Sequence, residues 1–405
     1  MRVLHLATYF PRPGNPLIGT WALDQAQALA RQPGCEVQVI SMNPWLPRLP
    51  GTPHGYRAYS ECPDEHHWGD LRVHYPRWLC YPMGPMHRLY HRDPEFWMRL
   101  AWRFCGRDVV RRARAFAPDA IFAIHTCVNG WVAAQLAREL KVPFVCQDHD
   151  YGEIADCQRY LPRRRLFETV GAQAAAMLVV SRKMEADLGR IISTEKIGIL
   201  YNGGAVKIAL EKLVPISERP LVVFGAGMLV ERKGFDIVIR AWAEVVRRFP
   251  EAKLRIAGDG PERSGLAALR DSLGLAESVE LLGYTKHDQV LEEMAHARVF
   301  ILASWSEPFG VVYTEAMGAG CPVVWSTDCG IADVVSSGTH GYSVAPRDVN
   351  AVSDVLVRLL EDEVRASEMG MINRRLLEDH FTWDAVAAQA LTILRKAAAR
   401  EPTTG

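Results

Sequence analysis

Apolar runs and amphipathic stretches alternate along almost the whole chain. Residues 3–7 form a short apolar run that reads as a strand, and 21–31 carry apolar residues at helical spacing. The series continues with strands at 36–41 and 120–125, a helix at 130–140, and strands at 143–147, 177–181 and 197–200. A polar, less regular stretch follows at 206–220, ending Ser217-Glu218-Arg219-Pro220, and reads as a linker. A second series then begins. Strands are predicted at 221–224, 253–257, 279–282 and 299–303, with helices at 235–249, 264–273 and 288–296. Alternation of this kind predicts parallel sheets with helices on both faces. The expected class is α/β, with two doubly wound, Rossmann-like domains at 1–205 and 221–382 facing a central cleft. Ligands then belong at the carboxyl ends of strands.

Composition narrows the picture. At 405 residues the chain is too long for one ordinary core. A hydrophobic content of 49% with 23% charged residues is that of a soluble globular protein. Forty-seven basic residues balance 47 acidic ones, so global charge gives no argument for a nucleic-acid partner. No apolar run approaches the roughly 18 residues of a membrane span. The first seven residues lead into Thr8-Tyr9-Phe10-Pro11 without a small-residue cleavage site, and read as a first strand, not a signal peptide. Nine cysteines without a C-x-x-C pair fit a reducing cytoplasm.

One segment departs from the pattern. Trp45, Trp68, Trp78, Trp97 and Trp102 are five of the 11 tryptophans. From Arg72 to Arg114, ten arginines face only Asp93, Glu95 and Asp108. Aromatics and arginines interleave in Arg77-Trp78-Leu79-Cys80-Tyr81-Pro82-Met83 and again from Glu95 to Phe104. Such a surface suits an anionic membrane. The alternative is a helix whose aromatic face is core and whose arginines are solvated.

Candidate chemistry concentrates at 304–322. The strand at 299–303 runs into Ser304-Trp305-Ser306-Glu307-Pro308-Phe309-Gly310, a turn, and then a helix from Val311 to Ala319 stopped by Gly320. The helix start suits a phosphate. Glu307 and Glu315 would repel one and are better suited to accepting hydrogen bonds from sugar hydroxyls. Solvated surface glutamates are the plain alternative. Gly225-Ala226-Gly227-Met228-Leu229-Val230-Glu231-Arg232-Lys233-Gly234 also follows a strand and opens a helix, so Lys233 is placed to neutralise a diphosphate. A dinucleotide fingerprint is not met, because Val230 stands at the third glycine and Asp259 lies too far on. Gly258-Asp259-Gly260 is a tight turn at a strand end, as an ordinary Asp-Gly turn would be. Gly14 to Gly19 is a turn-rich loop before a helix. His125 and His149 end strands, where a satisfied structural histidine is the plain alternative. Asp148-His149-Asp150 looks like a metal-binding Asp-x-Asp, a reading set aside because Lys233 and a helix start offer the charge that an ion would supply. No G-x-S-x-G elbow is present.

Glu-Pro-Phe-Gly followed by Glu-Ala-Met and Gly-x-Pro-Val resembles the signature of glycosyltransferase family 4, the retaining nucleotide-sugar enzymes of GT-B fold. Lys233-Gly234, the Gly258 turn and Leu282-Gly283-Tyr284 resemble further family positions. Met228 departs from it, standing where the family carries an arginine; Arg232 is placed to compensate. Phe381-Thr382-Trp383-Asp384 and a helix at 383–400 resemble the family's last helix, which completes the first domain. The resemblance is dense in the second domain and thinner in the first.

It implies a metal-independent, cofactor-free hexosyltransferase using a nucleotide diphosphate sugar. Glu307 would hold donor-sugar hydroxyls, with His125 and the Phe309 and Gly310 amides beside the sugar. Glu315 would hold the ribose, and Tyr284 would mark the base corner. Lys233, Arg232, Gly19, Gly258 and the helix start at Val311 would surround the diphosphate. Transfer would keep the anomeric configuration by same-face attack. The Arg–Trp segment suggests a lipid-linked saccharide acceptor at the inner membrane face, as in polysaccharide assembly. The alternatives are a small soluble acceptor, a catalytically weak sugar-nucleotide-binding protein and, more remotely, a Rossmann oxidoreductase.

Overall fold

A computed structural model of the chain describes residues 1–16, 18–79, 90, 92–206 and 213–399. It divides into two compact units, Met1–Tyr201 with Trp383–Gly405, and Asn202–Thr382. In chain order the strands are β1 Arg2–Ala7, β2 Glu36–Ile40, β3 Asn43–Pro44, β4 Glu65–Trp68, β5 Leu71–His74, β6 Arg77–Trp78, β7 Ala120–Ile124, β8 Phe144–Asp148, β9 Ala176–Val179 and β10 Ile197–Ile199 in the first unit. The second holds β11 Val222–Ala226, β12 Lys253–Ala257, β13 Val279–Gly283, β14 Val299–Leu302, β15 Val323–Ser326 and β16 Gly341–Val344.

The first unit's sheet runs β10-β9-β8-β7-β1-β2-β5-β4. Every pairing is parallel except β4 on β5. β1 and β7 are buried almost throughout, as continuous apolar runs in a sheet covered on both faces should be. Helix α1 (Thr20–Arg31) packs on the last helix of the chain, Trp383–Ala398. That helix buries Trp383, Val386, Leu391 and Leu394 within the first unit. Arg31 and Asp384 close the contact at 2.8 Å.

The second sheet is wholly parallel in the order β13-β12-β11-β14-β15-β16. Strand order reverses between β11 and β14 here, and between β1 and β7 in the first unit. At such a point the loops leaving two neighbouring strands diverge to opposite faces and leave a crevice.

The Arg–Trp segment is the part least foreseen. It supplies α2 (His54–Ser60), β3 to β6, and α3 (Pro94–Phe116). Residues 80–89, including Cys80, Tyr81, Pro82 and Met83, lie outside the described residues. α3 begins on Asp93, whose carboxylate accepts from the Phe96 amide at 3.1 Å, with Pro94 in the first turn. Its core stripe is Met98, Ala101, Cys105, Val109 and Ala113, whereas Phe96 and Phe104 are exposed. The aromatics of this helix are therefore divided: Phe96 and Phe104 are exposed, Trp97 and Trp102 are half-buried, and Phe116 is buried. The stretch read as a linker belongs, from 213 on, to the second unit. Arg219 is buried there, donating to the Val214, Ala297 and Ala319 carbonyls. A basic residue in a loop pattern looks solvated until its carbonyl partners are known. Among the described residues no helix is long and apolar enough to cross a membrane, and the cysteines are free.

Candidate functional site

In the second unit, the loops after β11 and β14 meet at the reversal. The loop after β11 carries Arg232 and Lys233 and enters the helix Phe235–Arg248. The loop after β14 carries Ser304 and Glu307 and enters the helix Val311–Gly318. Lys233 Nζ donates to Glu307 Oε2 at 2.5 Å, Ser304 Oγ at 3.0 Å and Arg232 Nη1 at 3.3 Å. Three donors thus converge on one oxygen of a carboxyl group that is 8% exposed. Burial alone would raise its pKa. The Lys233 ammonium, with Arg232 and the Ser304 hydroxyl behind it, outweighs burial and holds it below the ordinary value. The loops are also tied through backbone, since the Arg232 carbonyl accepts from the Trp305 amide at 2.9 Å. Ser304 Oγ, with one proton to share between them, stands 3.0 Å from both that carbonyl and Glu307 Oε2. The turn itself is strained at Ser306, a non-glycine residue with φ 56°.

The other expected residues surround this pair to differing degrees. Gly310 caps the helix with φ 87° and no side-chain partner for the first amides, so Val311 opens a helix start free to take an anion. Phe309, expected beside the donor sugar, is wholly buried, backbone included. Gly258 packs under the β11 loop: its amide donates to Gly283 O at 2.8 Å, and the Gly227 amide donates to Ala257 O at 3.0 Å. A Cβ on Gly258 would lie 1.9 Å from the Gly227 carbonyl oxygen, at a φ of +143°. This glycine is therefore required by loop packing as well as by any ligand. Tyr284 and Met228 are 59% and 64% exposed. Glu315 is engaged by His287, whose Nε2 stands 2.7 Å from its carboxylate. Sequence reading missed His287 and Ser304. His287 lies 28 positions from its partner, and nothing local signals the contact.

In the first unit, the loops after β1 and β7 line a cavity of about 320 Å³. Gly19 caps α1 with φ 67°, and a Cβ there would lie 2.3 Å from Tyr9 O, so the chain can turn into α1 only without a side chain. His125 ends β7 in a strained conformation, φ 70°, and lines the cavity. It is buried, and its Nδ1 has no hydrogen-bond partner. Burial lowers its pKa against the opposing pull of Asp148 and Asp150. Tyr9, Tyr59 and Trp78 give the cavity aromatic walls, and Asp150, Glu153, Asp156 and Arg163 give it charge. Burial, then the neighbouring Glu153 charge, pushes Asp148 up to about 6; burial against the pull of Arg163 pushes Glu153 up to about 7.

His125, Asp148 and Glu153 have potential ligand atoms within 4.8 Å of one another. Both Asp148 oxygens are already engaged by Thr126, however, from its amide at 2.8 Å and its hydroxyl at 2.7 Å. Asp150 instead caps the helix Tyr151–Arg159 by accepting from Gly152 N at 2.8 Å. The two acids of Asp148-His149-Asp150 thus hold different partners.

Two Rossmann-like units with open loops at both strand-order reversals define a protein of the GT-B class. Residues 207–375 match the model of the glycosyl transferases group 1, and residues 18–203 that of the glycosyl transferase 4-like domain. The chain belongs to the group 1 glycosyltransferases. It is 25% identical over 318 residues to an uncharacterized glycosyltransferase of Methanocaldococcus jannaschii, covering 73% of this chain and 81% of that one. It is 33% identical over 198 residues to the GDP-mannose-dependent alpha-(1-6)-phosphatidylinositol monomannoside mannosyltransferase of Mycobacterium tuberculosis, covering 47% of this chain and 51% of the relative. The match thus spans about half the length of that enzyme. Among solved structures, the sucrose-phosphate synthase of Thermosynechococcus elongatus superposes with a TM-score of 0.76 at 21% identity, over 98% of each chain.

Proposed function

We propose that the protein is a retaining glycosyltransferase that moves a hexose from a UDP- or GDP-sugar to a hydroxyl of a saccharide acceptor. The convergence of Lys233, Arg232 and Ser304 on the buried Glu307 carries the reading. It sets a hydroxyl acceptor and two cations beside an open helix start, which suits a sugar joined to a diphosphate. As the glycosidic bond breaks, negative charge grows on the departing diphosphate. Lys233, Arg232 and the amides at Val311 stabilise it without a metal ion. Glu307 is a poor nucleophile, because three donors occupy one of its oxygens and its basicity is depressed. Same-face transfer, with the leaving phosphate taking the acceptor proton, fits that state better than a covalent intermediate.

The relatives' names support a nucleotide-sugar donor, one of them GDP-mannose-dependent with a phosphatidylinositol mannoside acceptor. The acceptor here is a saccharide carried on a lipid at the inner membrane face, in cell-surface polysaccharide assembly. The His125 cavity takes its saccharide part, where Asp150, Glu153, Asp156, Arg12 and Arg163 offer hydrogen bonds to hydroxyls. A weak sugar-nucleotide-binding protein is favoured by one observation, the exposed Met228 on the phosphate-side loop.

Thermal shift with UDP, GDP, ADP and NAD tests the donor site: one nucleoside diphosphate should raise the melting temperature, by about 3 kcal/mol of stabilisation at a hundredfold excess over Kd. No shift with any of them would remove the assignment. Turnover with the matched sugar nucleotide, unaffected by EDTA and giving a product of unchanged anomeric configuration by NMR, separates a retaining enzyme from a binding protein.

A further inference from the structure

The helix α3 buries one stripe and, among the described residues, leaves the other without a covering element. Its exposed stripe carries Arg99, Arg103, Arg107, Arg111 and Arg114, three or four residues apart and so on one face. Phe96 and Phe104 stand among them, 56% and 69% exposed. Arg99 pairs with Glu95 at 2.8 Å, Arg111 with Asp108, and Arg114 with Glu139 at 3.4 Å. Arg103 and Arg107 form no ion pair among the described residues. Beside this stripe lies the helix α4 (Trp131–Leu140), which adds Arg138. Between the two helices runs an open groove of about 700 Å³, lined by Trp102, Arg107, Val110, Arg111 and Arg138. Trp102 lies flat over Gly106, where a Cβ would be 2.7 Å from the indole, and meets Trp131 edge-on at 5.9 Å. Trp102 and Val110 thus give the groove an apolar patch below a cationic rim.

We infer that the outward face of α3, with the adjoining groove, docks onto a bilayer containing anionic phospholipid. Six arginines against Glu95, Asp108 and Glu139 leave the face positive in a chain whose overall charge is zero. Anionic headgroups supply the missing counter-charge. Phe96 and Phe104, about two helical turns apart on the same side, then enter the acyl boundary, a place that a soluble polyanion does not offer. The guanidinium groups of Arg103 and Arg107 are free to bind phosphate oxygens in pairs. This deepens the reading of a lipid-linked acceptor, and rests on it: it names the surface through which the enzyme reaches that acceptor.

Flotation of the full chain with vesicles tests the assignment. The lipids are phosphatidylcholine alone, and phosphatidylcholine with about one-third phosphatidylglycerol. The wild type should float with the second and not the first, and high salt should weaken it. Replacing Arg103, Arg107 and Arg111 together by Gln should lower partitioning on the order of 100-fold, from the loss of three cations near the surface. Replacing Phe96 and Phe104 by Ser should separately lower it about tenfold or more. All five positions lie on the solvent face or rim, and unchanged circular dichroism and melting would show that the fold is kept. If the wild type floats but neither variant differs from it, the surface is wrong while the membrane reading stands. If the wild type floats with neither lipid, both fail, and turnover on a soluble acceptor decides the transferase reading by itself. If the arginine variant alone loses binding and heparin binds the wild type equally well, the face is a soluble-polyanion site, which overturns the bilayer assignment.

Discussion

Glu307 and Lys233 lie 74 positions apart in the chain and 2.5 Å apart in space. Each side chain compensates the other's burial, so removing one partner has consequences for both function and stability. Glu307→Gln should retain nucleotide binding but lower turnover by about 100-fold or more, the scale of a lost charge-stabilising contact in a transition state. Lys233→Ala should weaken nucleoside diphosphate binding, measured by calorimetry, and destabilise the second unit by about 2 kcal/mol, because a charged hydrogen bond to a buried carboxylate is lost. Met228→Arg places a third cation on the phosphate-side loop, and should tighten diphosphate binding about tenfold if the donor site is where we propose. Glu153 gives a pH signature of opposite sense to an ordinary salt bridge. Its folded pKa is raised to about 7, so the folded state binds more protons than the unfolded one between the ordinary carboxylate range and 7. Stability should therefore fall as pH rises through that window. The decline in melting temperature from pH 5 to pH 8 should be smaller in Glu153→Gln than in the wild type; an equal decline would assign it to other groups.

At the scale of elements, the loops matter more than the strands. The turn after β12 fits beneath the loop after β11 only because Gly258 has no side chain. Gly258→Ala should destabilise the second unit by about 3 kcal/mol or more. Its melting step should drop by about 5–10 °C with the first unit's unchanged, as scanning calorimetry would show. These glycine positions were legible as turns, because Gly-rich segments after apolar runs mark strand ends. The strands and helices read between 221 and 319 agree with the observed ends to within two residues, since both periods are strong there; β15, β16 and the helices Val349–Glu361 and Glu363–Leu376 were not read. Between 43 and 116 the reading failed. β3 and β6 are only two residues long, and β4 and β5 carry polar residues on their open faces, so no period stands out. α3 was read as aromatic and basic, but which of its aromatics face solvent depended on which stripe the sheet took.

On the scale of the whole molecule, the two units repeat one device: strand order reverses beside the first strand, and the loops flanking that reversal carry the chemistry. The first unit is also discontinuous in sequence. Its last helix supplies Trp383, Val386, Ala387, Ala390, Leu391 and Leu394 to the core. At about 1.5–3 kcal/mol for each large apolar side chain, this contribution is comparable to the net stability of a domain. A chain ending at Thr382 should therefore lose the first unit's melting transition and keep the second's. Retention of both transitions would mean that the helix is dispensable.

The sequence by itself determined the class of fold, the family and the residue types of the donor-side loops, because hydrophobic period and turn chemistry are local properties written in consecutive residues. Only the tertiary structure decided which of those residues meet. It decided that Arg232 and Lys233 converge on one oxygen of Glu307, that His287 holds Glu315, that Asp148 accepts from Thr126, and that Arg99, Arg103, Arg107, Arg111 and Arg114 of α3 face outward with Phe96 and Phe104 while Arg112 turns in to His74. Those pairings depend on strand order and loop packing, and contacts across tens of residues leave no trace in the spacing of either partner.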